Sequence, residues 1–154
     1  MDENNLISTE ESKVKDAHSL LKQAKKLYLN FFDVNYTYSP LEASQELGLE
    51  SELVQQLVQE YVTQLLQANI SFREYLTDFK HLQKDNQELD FTPFQNLAHK
   101  NLGVARNLRI KDCEDILHGM MNEDNLDYLS VLIEVLESCA IKLSPTTAFN
   151  YFKE

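Results

Sequence analysis

From Leu53 to Leu82 the apolar side chains keep helical spacing without interruption. Leu53, Leu57, Tyr61 and Leu65 form the series, with Val54, Val58 and Val62 alongside, and Phe72, Leu76, Phe79 and Leu82 continue it. Residues three and four apart share one face of a helix. The pattern therefore predicts one long helix over about residues 50–83, either straight or kinked near Asn69–Ser71. A stripe of that length can be covered only by further elements laid along it, which commits the chain to a layered core. Three glycines and three prolines in 154 residues are too few for a turn-rich β protein. Leu and Glu are the most frequent residues, and both favour helix. The fold class expected is all-α.

The other segments supply the companions. Val14, Ala17, Leu20, Leu21, Ala24, Leu27, Tyr28 and Phe31 recur at helical spacing over 13–33, behind a polar stretch at 1–12 that is expected to form a flexible tail. Ser39-Pro-Leu-Glu42 reads as a helix start, with serine as cap, proline in the first turn and glutamate closing a capping box. This short helix ends at Gly48. After the polar linker Lys84–Asp90, Thr92-Pro-Phe-Gln95 repeats the signal, with Thr92 as cap and Gln95 closing the box. The helix that follows runs to about Leu108. Shorter and longer apolar patterns predict helices at about 112–121 and 125–143. In the last of these, Leu126, Leu129, Ile133, Leu136, Ala140 and Leu143 form the seam of a bundle.

The formal net charge is −11. Nucleic acid is disfavoured as a partner, because phosphate binding needs clustered Lys and Arg, and anionic membrane surfaces are disfavoured for the same reason. No apolar run is long enough to span a bilayer, and the acidic start Met-Asp-Glu-Asn-Asn does not read as a signal peptide. Cys113 and Cys139 have neither metal nor redox spacing and fall on apolar faces. They read as buried thiols in a reducing cytoplasm.

One glycine needs a reason. Gly103 sits inside the helix Phe94–Leu108, where glycine costs about 1 kcal/mol relative to alanine. It follows His99 by four residues, so it clears space beside the imidazole. With His99 at zero on a helical wheel, Arg106 falls about 20° away, Gln95 and Gly103 about 40°, and Leu102 about 60°. Phe94, Leu97, Val104, Ala105 and Leu108 lie opposite, as does Asn101. His99 is thus expected to face outward among Gln95, Gly103, Arg106 and Leu102. Near its usual pKa an exposed imidazole is largely neutral at pH 7 and offers a lone pair. With no general base or oxyanion site beside it, that nitrogen suits attack on an activated electrophile such as an acyl phosphate.

The stretch Leu97-Ala-His-Lys-Asn-Leu-Gly-Val-Ala-Arg-Asn-Leu-Arg-Ile110 resembles the histidine-containing phosphotransfer (HPt) domain of bacterial two-component phosphorelays. The usual form there is Ala-His-x-Leu-Lys-Gly-Ser-Ala-x-x-Leu-Gly. The resemblance extends over about 40–144. It implies an antiparallel four-helix bundle over 39–144, with an additional N-terminal helix and connection at 13–38 and a C-terminal tail at 145–154. It also implies that His99 is the phosphoacceptor, relaying a phosphoryl group between receiver-domain aspartates, and that Gly103 admits the receiver. Response-regulator receivers are the implied partners, with a histidine kinase as a further one. No cofactor belongs to this chain, and Mg²⁺ would sit on the receiver. The sequence also departs from the pattern. Leu102 stands where the family has lysine, Asn101 where it has leucine, and Arg109 where it has glycine. Arg106, and more weakly Lys100, are the candidate replacements for the lysine's charge, and Gln95 is a hydrogen-bonding candidate on the docking face.

Three further histidines read as ordinary surface residues: His18, His81 near the end of the long helix, and His118 beside Gly119. An antiparallel bundle would bring His118 toward His99. Phe31, Phe32, Tyr36 and Tyr38 form an aromatic cluster expected to pack the first helix on the bundle, the alternative being a docking surface for a partner or a second copy of the chain. No metal-ligand spacing, Ser/His/Asp arrangement or Gly-rich phosphate loop occurs. Two other readings stand beside the phosphorelay one. The chain is alternatively an HPt-like adaptor that binds a receiver or another signalling partner without carrying phosphate, or a helical bundle in which the motif arose by chance.

Overall fold

The computed structural model describes residues 14–17 and 36–153, and among these there is no strand. Residues 14–17 are helical, and the rest of the amphipathic segment at 13–33, with His18, Phe31 and Phe32, lies outside the described residues. The helices that follow are α1 (Pro40–Leu47), α2 (Ser51–Lys84), α3 (Thr92–Leu108), α4 (Lys111–Met121), α5 (Leu126–Leu143) and α6 (Pro145–Lys153). The all-α class read from the sequence is the class observed.

The local signals explain most of these boundaries. Ser39 Oγ accepts the Glu42 N–H at 3.2 Å, Pro40 opens α1, and Gly48 ends it in the left-handed region at φ 67°. Asn125 caps α5, its Oδ1 accepting the Tyr128 N–H at 2.9 Å. The start of α3 differs from expectation. Thr92 is already inside the helix and does not cap it. Asp90 Oδ1 accepts the Thr92 N–H at 3.0 Å instead, so the carboxylate two residues upstream satisfies a donor that the helix leaves open. The same hydrogen bond lowers the Asp90 pKa. Gln95 does not close a box, because its amide donates to Met121 O at 3.2 Å.

Helix α2 is one continuous helix, as its apolar spacing predicts, and runs through Asn69–Ser71. Asn69 turns inward and donates to Ile133 O at 3.1 Å, while its Oδ1 is buried without a hydrogen-bond partner. The segment at 145–154, expected as a tail, is helical over Pro145–Lys153 and buries Ala148 completely.

Packing closes a circuit. α2 lies against α3 and α5, α3 against α4, and α4 against α5, while α1 packs on α2 and α6 packs on α2 and α5. The core inside this circuit is aromatic at one end, where Phe72 and Phe94 have centroids 4.9 Å apart and Phe79 and Phe91 4.7 Å apart. Ile116, Leu117, Met120, Leu132 and Leu136 fill the space along α4 and α5. Each such side chain contributes about 1.5–3 kcal/mol when fully buried. Among the described residues no helix is long and apolar enough to cross a membrane.

Candidate functional site

Helix α3 presents one face to the core through Phe94, Ala98, Asn101, Leu102, Ala105 and Leu108, all buried. His99, Lys100, Gly103, Arg106 and Gln95 are exposed. The imidazole of His99 therefore stands in solvent, and no side-chain hydrogen bond or ion pair ties it to another described residue. A Cβ built on Gly103 would meet nothing within 4 Å. Among the described residues nothing packs against Gly103 closely enough to require a glycine there.

The α3 backbone is held rigidly behind this exposed face. Asn101 lies in the core, where an unpaired amide would be costly, and it is fully engaged. Its Nδ2 donates to Leu97 O at 2.9 Å, its Oδ1 accepts from Gln64 Nε2 at 3.2 Å, and its carbonyl accepts the Tyr61 hydroxyl at 2.7 Å. Burial raises the Tyr61 pKa strongly, so the phenol stays protonated and donating. At the C-terminal end of α3, Arg109 occupies the left-handed region at φ 64°. This is the position where the resembled family has glycine, and a non-glycine residue there is strained by about 1–2 kcal/mol. Arg109 Nε pairs with Glu46 Oε2 at 3.0 Å, tying α1 to the end of α3. Tyr38 donates to Leu108 O at 2.8 Å and Tyr36 to Arg109 O at 3.2 Å. These hydroxyls satisfy carbonyls that the helix end leaves open. The polar ends of Tyr36 and Tyr38 thus staple the site helix, a role beyond the packing expected of them. Partial burial pushes the Tyr38 pKa up to about 12, consistent with a hydroxyl that keeps its proton.

The charges around His99 are distributed unlike the sequence expectation. Leu102 does not face outward. It is buried, with 2 % of its surface accessible, because α4 packs along that flank of α3 and extends the core toward it. It is therefore no part of an exposed docking patch. Arg106 is exposed on the His99 side, but its Nε lies 3.4 Å from Glu114 Oε1 on α4. Lys100 is exposed and forms no ion pair among the described residues, and it points about 100° away from His99. Gln95 is exposed and linked to Met121 O.

His118 is exposed on α4, and His81 is exposed near the end of α2. Cys113 and Cys139 are buried, as expected, and unpaired. A residue the sequence reading passed over lies between them. Asp112 is buried at the start of α4, its Oδ1 accepting the Cys113 N–H at 2.8 Å. Burial raises its carboxyl above the usual range, offset in part by that hydrogen bond and by Lys142. Burial and the nearby Asp112 hold both thiols well above the usual thiol range, so neither is an active nucleophile. The only signal for Asp112 in the sequence is an acidic residue in a helix's first turn, which normally implies a solvated side chain.

No cluster of three or more His, Cys, Asp or Glu able to hold a metal ion occurs among the described residues. No family model, curated protein or solved structure matches the chain.

Proposed function

We propose that this chain is a histidine phosphotransfer protein, with α2–α5 forming an HPt-like antiparallel four-helix bundle. The observation that carries the reading is the bare surface beside His99: a solvent-facing imidazole in mid-helix, with Gly103 one turn beyond it and open space above that glycine. The chemistry follows from this arrangement. A neutral His99 nitrogen forms an N–P bond as the P–O bond of a receiver's aspartyl phosphate breaks. The carboxylate leaves with the electron pair, and the ring keeps its N–H proton. The backing by Asn101, Tyr61 and Gln64 holds the stretch of α3 that carries His99 in place, so the imidazole is presented from a fixed backbone. Response-regulator receivers are the proposed partners, with a histidine kinase as a further one. Mg²⁺ belongs to the receiver, and the setting is cytoplasmic.

The direct test uses receiver domains carrying radiolabelled aspartyl phosphate. Acid-labile label should pass to the wild-type chain and be absent from His99→Gln. A wild-type chain that takes label from no receiver and from no small phosphoryl donor refutes the reading.

A second reading is favoured by one observation, the buried Leu102 at the place of the family's lysine. It casts the chain as an HPt-like adaptor that binds a receiver without accepting phosphate. Receiver binding of normal affinity, with no label on His99 under any donor, distinguishes it.

A further inference from the structure

Two ties fix how α4 runs beside α3. Gln95 Nε2 donates to Met121 O at 3.2 Å near one end, and Arg106 Nε meets Glu114 Oε1 at 3.4 Å nearer the other. The helices are therefore antiparallel here, and the ties bracket both histidines. His99 follows Gln95 by one turn, and His118 follows Glu114 by one turn and precedes Met121. Residues four apart lie on one stripe. His99 thus shares the flank of α3 that carries Gln95 and Arg106, and His118 shares the flank of α4 that carries Glu114. Both are exposed, and they stand at one level along the groove between the two helices. Axes of packed helices lie about 8–10 Å apart, a span that two imidazoles and a phosphoryl group can fill.

A phosphoryl group on His99 needs hydrogen-bond donors for its oxygens. Leu102 is buried and apolar, Lys100 points elsewhere, Arg106 is engaged by Glu114, and Gln95 is tied to Met121 O. His118 makes no side-chain hydrogen bond to a described residue, and its interaction with the nearby Asp115 carboxylate is electrostatic only, so its ring N–H is available to donate. We propose that His118 is a positioning residue for phosphotransfer, its imidazole donating from α4 to an oxygen of the phosphoryl group at His99. The inference rests on the phosphotransfer reading and goes beyond it by naming the donor.

Phosphoramidate, a small phosphoryl donor that needs no protein partner, tests the two separately. Phosphohistidine formation is followed by ³¹P NMR on the full-length chain, with His99→Gln as the background from other histidines. His118→Ala should slow formation at His99 about tenfold, the scale of one lost charge-assisted hydrogen bond. His118→Gln, which keeps a side-chain donor, should recover most of the rate. An exposed residue is not needed for folding, so both variants should unfold at the wild-type temperature. Formation at the wild-type rate in His118→Ala overturns the inference and leaves the phosphotransfer reading standing. Equal loss in His118→Ala and His118→Gln also overturns it, since a donor would then not be what matters. Absence of any His99-dependent signal in the wild type overturns both.

Discussion

Arg106 Nε lies 3.4 Å from Glu114 Oε1 across the α3–α4 groove, on the same flank of α3 as His99. The pair has opposite consequences for stability and for chemistry. Both side chains are substantially exposed, at 55 % and 30 %, and exposed pairs of this kind are worth about 0–1 kcal/mol. In the proposed transfer, however, the pair diverts a guanidinium from phosphoryl oxygens. Glu114→Gln should leave the unfolding temperature almost unchanged. It should raise the rate of phosphohistidine formation about two- to fivefold, the rate equivalent of about 0.5–1 kcal/mol released from the competing pair. Kinetics with phosphoramidate check this, and an unchanged or lower rate removes Arg106 from the list of groups that assist His99.

Gly103 supports a prediction in which stability and partner access move apart. A Cβ there meets nothing within 4 Å, and the backbone is helical, so Gly103→Ala should stabilise the chain by about 0.5–1 kcal/mol. Chemical denaturation measures that gain. Gly103→Leu should also fold, since the added side chain projects into open space. It should still react with phosphoramidate while taking label from a phosphorylated receiver at least tenfold more slowly. Equal loss with both donors would mean that Gly103 acts on the imidazole itself and not on the approach of a partner.

Leu102 shows where reading the sequence stops. The wheel of α3 placed Phe94, Ala105 and Leu108 in the core, put Asn101 among them, and turned His99 and Gly103 outward, and all of these positions are observed. It also turned Leu102 outward, because one helix considered alone does not reveal which flank its neighbours cover. α4 covers the Leu102 flank, and that is a tertiary fact. Likewise, the cost of a buried Asn101 was visible in the sequence, but its remedy was not, since Tyr61 and Gln64 lie on a helix 37–40 residues away. The start of α3 was legible as a helix start, but not as one served by Asp90, because Thr and Asp can both fill that role.

The burial of Leu102 changes the outcome of a substitution that the family pattern invites. From the sequence, if residue 102 only tunes the rate, Leu102→Lys should quicken transfer while partner binding barely changes. With 2 % of Leu102 accessible, the substitution removes a packed aliphatic chain and forces an ammonium toward the core. It should cost about 2 kcal/mol or more. A shift in the urea midpoint toward lower denaturant, with no gain in the rate of phosphohistidine formation, is the expected result. A variant as stable as the wild type would show that the flank opens easily enough for the lysine to reach solvent.

Asp112 ties the stability of the core to pH. Its carboxyl is held above the ordinary 3.8, first by burial, so the folded chain binds this proton more tightly than the unfolded chain does. Between 3.8 and the raised folded value, folding takes up a proton, and stability falls as pH rises through that window. Above the window the cost of a buried charge is fully present, relieved in part by the Cys113 N–H and Lys142. Asp112→Asn keeps a carbonyl oxygen to accept the Cys113 N–H and carries no charge. The stability of the wild type relative to Asp112→Asn should therefore be greatest below pH 4 and decline as the carboxyl ionises. The other carboxylates titrate alike in the two proteins and cancel in the difference. Urea denaturation of both proteins across this range measures the effect. A difference that is flat with pH, or that grows in favour of the wild type as pH rises, would mean that Lys142 and the Cys113 N–H outweigh burial at this position.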